Sequence, residues 1–284
     1  MERRLTFSGE APLLYLVSTP IGNLSEFSPR ALEIVGQADL VACEDTRNSA
    51  SLLSHFGIKK PTLSCHEHNE EEAATKIIEA LREGKKVVYM SDAGYPGISD
   101  PGERFVKRLV EEGIQVSIVS GPSAFIGALV LSGLPTNHFH FEGFLPAKES
   151  EKVARLNDLA QNPDTLIFYE APHRILKTLI LMAATLGDRK ATLTRELTKA
   201  HEEVIRGNLS ELALLDEATL KGEMVIVVEG ASPKKEIDDQ TIAFALKDQL
   251  EYGKRGKEAI AFVAESLGVK KNRVYEIYLN TYGK

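Results

Sequence analysis

Unbroken apolar runs alternate with amphipathic segments through the first half of the chain. The runs PLLYLVST, DLVACED and KVVYM are each followed by a segment that predicts a helix, and the clearest amphipathic segment, NEEEAATKIIEALREG, follows the short apolar piece PTLSCHE. Strands that are apolar on both faces are typical of a parallel sheet with helices on both sides. The pattern therefore predicts an N-terminal α/β domain with a parallel sheet over residues 1–123.

The regular alternation of apolar runs and amphipathic segments ends after SGPSAFIGALVLSGLP. The pattern that follows predicts a second α/β domain over residues 124–232. HFHFEGFLP is aromatic and interrupted by Gly and Pro, and DTLIFYEAPHRI predicts a strand that runs into a helix. KATLTRELTKAHEEVIRG and GEMVIVVEGA predict strands, with only NLSELALLDEA as a helix between them. This order of elements favours a mixed sheet in the second domain.

The final segment, residues 233–284, predicts a linker and a small basic helical extension. SPKKEIDD is polar, and KEAIAFVAESLGVKKNRVYEIYLN predicts two helices separated by a turn around Gly268, which is helix-turn-helix spacing. Residues 253–284 contain seven Lys and Arg against three Asp and Glu, a net charge of +4, whereas the whole chain carries −7. A basic extension on an acidic body is typical of contact with a polyanion, although in so short a segment it also arises by chance.

Composition and hydropathy indicate a globular protein with no membrane segment or secretion signal. The chain has 284 residues, of which 43% are hydrophobic and 26% charged, which is enough for two domains with ordinary cores. No apolar run approaches the ~20 residues of a membrane helix, and the N-terminal segment lacks an apolar core. Cys43 and Cys65 are far apart without metal-binding spacing, so we expect free thiols in a reducing compartment. These features predict a cytoplasmic protein.

Three loops of small residues follow predicted strands of the first domain. STPIGN spans residues 18–23, SDAGYPGISDPG spans 91–102, and SGPSA spans 120–124. Glycines such as Gly94 let the backbone approach a ligand closely, and the carboxyl ends of parallel strands share one edge of a sheet. The loops therefore predict a small-molecule cleft, with three ordinary tight turns as the alternative.

The end of the second loop also matches a helix start. In DPGE, Asp100 is expected to cap the following helix, with Pro101 at the first helical position. On that interpretation the Asp100 carboxylate serves as the helix cap and does not contact a ligand.

The residues alone leave the ligand open within the class of nucleotide-like cofactors. Neither G-x-G-x-x-G nor a P-loop is present, although Glu44 and Asp45 lie roughly 20 residues after Gly22, where dinucleotide-binding folds place a ribose-binding acid. The sequence has no H-E-x-x-H motif and no paired cysteines, so we expect no catalytic metal. His138 and His140 in HFHF are expected to pack among aromatic residues.

Six sequence blocks, taken together, resemble one superfamily. LVSTPIGNL, ACEDTR, SDAGYPGISDPG, SGPSA, FYEAPHR and RELTKAHEE occur in that order between Leu14 and about Gly230. They resemble the tetrapyrrole methylase-like superfamily and, within it, the ribosomal RNA small subunit methyltransferase I family, to which the helical tail is also similar. AGYP departs from the Gly-Asp-Pro motif usual in the superfamily, because Tyr95 replaces the aspartate.

The resemblance implies a fold, a reaction and partners. The fold would be two α/β domains of the tetrapyrrole methylase-like type with a cofactor cleft between them, plus the C-terminal helical extension. The reaction would be S-adenosyl-L-methionine-dependent methylation of the ribose 2′-hydroxyl of a cytidine in the decoding region of 16S rRNA. The partners would be 16S rRNA or the small ribosomal subunit and a second copy of the chain, in the cytoplasm.

The resemblance also implies roles for individual residues. Lys199 and Glu170 are the first choices for catalysis, as a group that stabilises the developing alkoxide and a base. Contacts with the cofactor are expected from Pro20, Ile21, Gly22, Asp92, Ala93, Gly94, Tyr95, Ile98, Ser99, Ser120, Gly121 and Pro122. Contacts with RNA are expected from Arg174, Arg195, His201, Lys270, Lys271 and Arg273.

Three other functions remain open at this point. A tetrapyrrole C-methyltransferase would share the cofactor but needs a large apolar trough, and RELTKAHEE and the basic tail fit RNA better. A non-catalytic RNA-binding ribosome-assembly factor would keep the fold without binding the cofactor, and RELTKAHEE would then be a solvated charged segment. A nicotinamide-dependent dehydrogenase lacks its glycine fingerprint.

Overall fold

The computed structural model describes residues 13–66, 68–100, 102–232 and 238–282. The chain divides into two compact units, with Ala231 at the end of the first and Ser232 at the start of the second. Both predicted α/β sheets lie in the first unit, and the predicted C-terminal helices lie in the second. The predicted fold class is thus confirmed. The predicted domain limits stay a prediction.

The first sheet is parallel throughout, as the continuous apolar runs predict. Its strands are paired in the order β3-β2-β4-β1-β5, and their bounds are β1 Leu13–Val17, β2 Leu40–Cys43, β3 Thr62–Ser64, β4 Val87–Met90 and β5 Gln115–Val119. Four helices alternate with them: α1 Pro29–Gln37, α2 Thr46–His55, α3 Glu70–Arg82 and α4 Glu103–Glu111. Buried apolar clusters occupy both faces of the sheet, and Cys43 and Cys65 are buried free thiols.

The second sheet is mixed, as predicted. Its order is β6-β7-β10-β8-β9, in which β6 and β7 are parallel and the other pairs antiparallel. The strands are β6 Phe139–Phe144, β7 Thr165–Glu170, β8 Lys190–Arg195, β9 Glu203–Asn208 and β10 Met224–Val228. The helices of this part are α5 Ala124–Ser132, α6 Glu149–Leu159, α7 Ile175–Leu186 and α8 Leu209–Leu212.

The faces of the second sheet are covered unequally. Helices α6, α7 and α8 pack over one face and enclose the larger apolar cluster, around Phe168 and Ile226. Helix α5 packs on the other face through Ala128 and Leu129. The α5 sequence AFIGALVLS is apolar all round, so part of its apolar surface stays exposed.

The start of α4 corrects the capping prediction for Asp100. The helix begins at Glu103, and its N-cap residue is Gly102, in a conformation (φ +137°) that L side chains rarely adopt. The Gly102 N–H donates to the Oε1 atom of buried Glu70 at 2.7 Å. A carboxylate from α3 therefore takes the place that the sequence assigned to Asp100. Pro101 lies outside the described residues.

In its described part, residues 238–282, the second unit has three helices, α9 Asp239–Glu251, α10 Gly256–Leu267 and α11 Lys271–Tyr282. A small core that includes Ile260 and Val274 joins them. The turn between α10 and α11 places Gly268 at φ +62°, at the position where the sequence predicts a turn between two helices. Among the described residues, no helix is both long and apolar enough to traverse a lipid bilayer.

Candidate active site

Three loops meet at the carboxyl edge of the first sheet, as predicted from their positions after strands. The strands that precede them, β1, β4 and β5, are neighbours in the sheet. Thr19 and Gly94 exchange two main-chain hydrogen bonds, of 3.0 and 3.1 Å. The Ser91 hydroxyl donates to the Gly94 carbonyl at 2.9 Å, and the Ser18 hydroxyl donates to the Pro122 carbonyl at 3.2 Å. The loops therefore form one connected wall of main chain.

Left-handed backbone shapes the second loop. Gly94 and Gly97 have φ values of +76° and +81°, which glycine adopts without steric cost. Ser99 has φ +58° and carries a side chain, so its conformation costs on the order of 1 kcal/mol. Strain of this kind is often found where a loop holds a ligand.

A cavity of about 340 Å³, here named the cleft cavity, lies between the two sheets. The first sheet contributes loop residues on one side, and the second contributes strand ends on the other. Its walls are mainly apolar, and burial raises the pKa of Tyr169 to about 12, so that hydroxyl stays neutral. Its lining residues are Ile21, Ala93, Gly94, Tyr95, Ile98, Ser99, Asp100, Ser123, Ala124, Phe144, Tyr169, Glu170, Ala171, Pro172, Leu197, Glu223, Met224 and Val225.

A second cavity, of about 350 Å³, lies on the other side of the same loops and is named the side cavity. It is bounded by the first loop, helix α2 and the start of the second loop. Its lining residues are Pro20, Gly22, Leu24, Asn48, Ser49, Ser51, Leu52, His55, Ser91 and Asp92. Neighbouring loop residues line opposite cavities: Pro20 and Gly22 line the side cavity, and Ile21 between them lines the cleft cavity.

The predicted cofactor residues are divided by this wall. Ile21, Ala93, Gly94, Tyr95, Ile98 and Ser99 line the cleft cavity, whereas Pro20, Gly22 and Asp92 line the side cavity. Ser120, Gly121 and Pro122 line neither cavity. Their loop supports the wall instead: the Gly121 N–H donates to the Tyr95 hydroxyl at 3.3 Å, and the Pro122 carbonyl accepts from Ser18.

Asp100 lines the cleft cavity and was not among the predicted site residues. It makes no hydrogen bond or ion pair within the described ranges. Burial raises its pKa to about 6, and the nearby carboxylates of Glu44 and Asp92 add to the shift. The sequence does not identify Asp100 as a site residue because DPGE also matches a capping pattern.

Glu170 lies beneath the cleft cavity with its carboxylate completely buried. That carboxylate accepts from the Thr178 hydroxyl at 2.6 Å, from the Lys152 ammonium at 3.1 Å and from the Ala171 N–H at 2.9 Å. The Nε atom of Arg174 lies 3.0 Å from it, and the same guanidinium donates to the Leu145 carbonyl at 2.7 Å. Glu170 and Arg174 are thus held in one internal network.

Lys199 lines neither cavity but contacts one lining residue of each. Its ammonium is 3.0 Å from both Glu196 Oε1 and Glu223 Oε2, and Glu223 lines the cleft cavity. Its aliphatic chain covers Gly22 so closely that a Cβ atom at Gly22 would collide with it. Partial burial lowers the pKa of Lys199, but the two carboxylates outweigh that effect and the net pKa is raised. The side chain is therefore a cation at neutral pH.

The Lys199 loop is strained and tied to the second sheet. Glu196 and Thr198 have positive φ values, +51° and +68°, although neither is glycine. The Thr198 N–H donates to the Glu202 carboxylate at 2.7 Å, and the Arg195 guanidinium pairs with Glu203.

The remaining predicted RNA contacts are on the surface. His201 is exposed in the turn before β9. In the second unit, Lys270 and Lys271 are exposed, and Arg273 pairs with Asp239 at 2.7 Å.

The sequence is similar to one family over most of its length. The profile of a family described as Tetrapyrrole (Corrin/Porphyrin) Methylases matches residues 13–213. A protein of Haemophilus influenzae named ribosomal RNA small subunit methyltransferase I is 46% identical over 273 residues, covering 94% of this chain and 96% of that protein. The protein of the same name from Bacillus subtilis is 41% identical over 288 residues, covering 98% of both chains.

Solved structures share the fold at lower identity. A cobalamin biosynthetic enzyme, cobalt precorrin-4 methyltransferase, superposes with a TM-score of 0.56 at 21% identity, covering 76% of this chain and 94% of that one. Diphthine synthase superposes with a TM-score of 0.59 at 17% identity, covering 76% and 89%. At these identities the structures establish the fold only.

The Glu170 network yields a stability prediction. Lys152→Met should destabilise the protein by about 3 kcal/mol, because it removes a cation from a buried carboxylate. Lys148→Met is the matched control, since Lys148 also lies at the start of α6 but is 70% exposed. Urea unfolding of both variants measures the effect. Equal stabilities would contradict a stabilising buried contact between Lys152 and Glu170.

Proposed function

The chain belongs to the tetrapyrrole (corrin/porphyrin) methylase family, and from that premise we propose that it methylates the ribose 2′-hydroxyl of a cytidine in the decoding region of 16S rRNA. It is an S-adenosylmethionine-dependent methyltransferase of the ribosomal RNA small subunit methyltransferase I kind, to whose named members it is 41–46% identical. The cytidine and its 2′-hydroxyl are the proposed part. We place the reaction in the cytoplasm, on 16S rRNA or the small ribosomal subunit.

The observation that carries the proposal is the cleft cavity between the two sheets. S-adenosylmethionine supplies an activated methyl group on a positively charged sulfonium, so the protein contributes mainly positioning. The cavity fits such a molecule: Ile98, Leu197 and Met224 provide apolar wall, and Ala93 and Gly94 lie on its loop side. The Asp100 carboxylate lies in the same cavity and has no cationic partner among the residues that the structure describes. We assign Asp100 to the positive charge of the cofactor.

Lys199 is the group best placed to act on the ribose. A ribose hydroxyl has a high pKa, so a nearby cation lowers the barrier by stabilising the developing alkoxide. The Lys199 ammonium is protonated and lies between Gly22 and Glu223, one on each cavity. Glu170 is enclosed by Lys152, Thr178 and Arg174, so we assign it the positioning of the cleft floor.

The RNA contacts are proposed to act through charge. Lys270 and Lys271 are exposed at the start of α11 and suit phosphate groups, which position an RNA without reading its sequence. Arg195 and Arg273 pair with acidic neighbours, so RNA contacts there would exchange one anion for another. His201 and Arg174 complete the proposed set, with Arg174 contributing only through its partly exposed edge.

A homodimer is proposed through the uncovered face of α5. Ile126 and Val130 are one helical turn apart and are 41% and 68% exposed, and Leu131 beside them is 38% exposed. Strand β5 is the edge of the first sheet, and its Ile118 is also exposed, at 44%. An uncovered apolar helix face and an open sheet edge are both kinds of surface that a second copy can cover.

Val130→Glu is expected to convert a dimer into a monomer, because it buries a charge in the proposed interface. Val110→Glu is the matched control, since Val110 is 53% exposed on another helix, α4. Sedimentation velocity distinguishes the two states. A monomeric wild-type chain, or a Val130→Glu dimer, would contradict the proposal.

Asp100→Asn should remove the pH dependence of S-adenosylmethionine binding. The free carboxylate has a pKa of about 6, and a bound cation favours its ionised form. Wild-type affinity should thus rise as the pH increases through about 6 and level off above it, whereas the variant should be flat and about tenfold weaker at neutral pH. Isothermal titration at several pH values measures this.

Glu44→Gln is the control for Asp100. Glu44 lines neither cavity but raises the pKa of Asp100, so the wild-type profile should shift to lower pH without losing affinity at neutral pH. An Asp100→Asn variant with the wild-type pH profile would refute the assignment.

Lys199→Met should lower the turnover number about 100-fold while changing cofactor affinity little, because the cation acts on the transition state. Lys221→Met, an exposed lysine near Glu223, should be as active as wild type. The assay transfers labelled methyl groups to small subunits from cells that lack this protein, with the product mapped by mass spectrometry. A product other than a cytidine 2′-O-methyl group would overturn the proposed function.

A further inference from the structure

The side cavity adjoins the proposed reaction site and is separate from the cleft cavity assigned to the cofactor. Its wall is shared with the cleft cavity through the loops that contain Pro20 and Asp92. Gly22, which lines it, is covered by the aliphatic chain of Lys199. A group bound in the side cavity would therefore lie next to the residue assigned to the ribose hydroxyl.

The polar groups of the side cavity are fixed in position. Asn48 Nδ2 donates to Asp92 Oδ2 at 2.7 Å, and the Asp45 N–H lies 3.3 Å from Asp92 Oδ1. A carboxylate has about four acceptor positions, so Asp92 can still accept hydrogen bonds from a ligand. Asp92 is also exposed, which leaves it accessible from the cavity.

Helix α2 presents one face to the side cavity. Asn48, Ser51, Leu52 and His55 follow one another at helical spacing, and all four line it. Leu52 offers apolar surface and His55 a ring, which suit the flat face of a nucleobase. Leu24 adds apolar surface across the cavity and is 39% exposed.

The charged groups near the side cavity indicate which ligands it can bind. Glu44 and Asp92 make this edge of the sheet acidic, whereas Asp45 beside them is paired with Arg47. The carboxylates of Glu44 and Asp92 disfavour phosphate. Within the residues that the structure describes, no group of three acidic, His or Cys side chains could hold a metal ion. An uncharged ligand with hydrogen-bond donors fits best.

We propose that the side cavity binds the base of the nucleotide to be methylated, and that Asp92 selects cytosine over uracil. The inference rests on the proposed methylation of RNA. Cytosine carries an exocyclic amino group that donates to a carboxylate, whereas uracil presents a carbonyl oxygen at the same position. Bases of unpaired RNA are read in this way, on their hydrogen-bonding edges and flat faces. The ribose of a base held there would lie toward Gly22 and Lys199.

The test measures nucleotide binding directly. The full-length chain with bound S-adenosylhomocysteine is titrated with cytidine 5′-monophosphate and uridine 5′-monophosphate, followed by NMR of the ligands. The wild-type chain should bind the cytidine nucleotide about tenfold more tightly. Asp92→Asn should reduce that preference to about twofold or less, because an amide can donate to uracil.

A second pair of variants tests the cavity itself. Ser51→Phe places a ring in the side cavity from an exposed position of α2, and should abolish binding of the cytidine nucleotide. Ser54→Phe is its control, since Ser54 is an exposed serine of the same helix that does not line the cavity. Ser54→Phe should bind as wild type does.

Equal wild-type affinities for the two nucleotides would overturn the inference, and so would a full preference in Asp92→Asn or normal binding by Ser51→Phe. Methyl transfer to small subunits, measured on the same preparations, separates this result from the proposed function. If Ser51→Phe and Asp92→Asn methylate normally, the base site is wrong and the methyltransferase stands. If the wild-type chain transfers no methyl group, the proposed function fails. The nucleotide titration still shows whether the side cavity binds cytosine in preference to uracil.

Discussion

The main-chain pairing of Thr19 with Gly94 is the contact on which the site depends. It joins the loop after β1 to the loop after β4 through two main-chain hydrogen bonds, and the Thr19 hydroxyl adds a third by donating to the Ser91 carbonyl at 3.2 Å. These bonds turn two separate strand ends into one wall with a cavity on each side. Because the wall is made of main chain and small residues, both cavities come close to it without an intervening layer of side chains. The proposed donor and acceptor sites can therefore be neighbours.

The second sheet contributes apolar surface, the Lys199 cation and the buried Glu170 network to the site. It closes the cleft cavity with apolar strand ends and, through the strained Lys199 loop, brings a cation over Gly22. The buried network around Glu170 fixes the floor of the same cleft, with Lys152 and Thr178 arriving from two different helices. Charge in this site is thus paired at Glu170 and at Lys199, whereas Asp100 has no ion-pair partner among the described residues.

Much of this could be predicted from the sequence, because strand order and loop position follow from local patterns. The parallel first sheet, the mixed second sheet and the convergence of three loops all follow from apolar runs and small residues. Helices α5, α6 and α9 were not predicted. In α5 an all-apolar sequence hides the helical period, and α9 follows a polar segment that the sequence predicts to be a linker.

The sequence does not identify Asp100 for a different reason. Whether a carboxylate near this position caps α4 depends on Glu70, which lies about thirty residues earlier. The division of the loop residues between two cavities could not be predicted either, since it depends on which way each successive residue faces.

The most direct test of the wall compares two glycines with the same backbone requirement. Gly94 and Gly57 have φ values of +76° and +67°, so replacing either with valine imposes a similar strain. Gly94 lines the cleft cavity, whereas nothing lies within 4 Å of the position where a Cβ would stand at Gly57. Isothermal titration with S-adenosylmethionine should give wild-type affinity for Gly57→Val and a loss of about 100-fold or more for Gly94→Val. Wild-type affinity in Gly94→Val would contradict the placement of the cofactor against this wall.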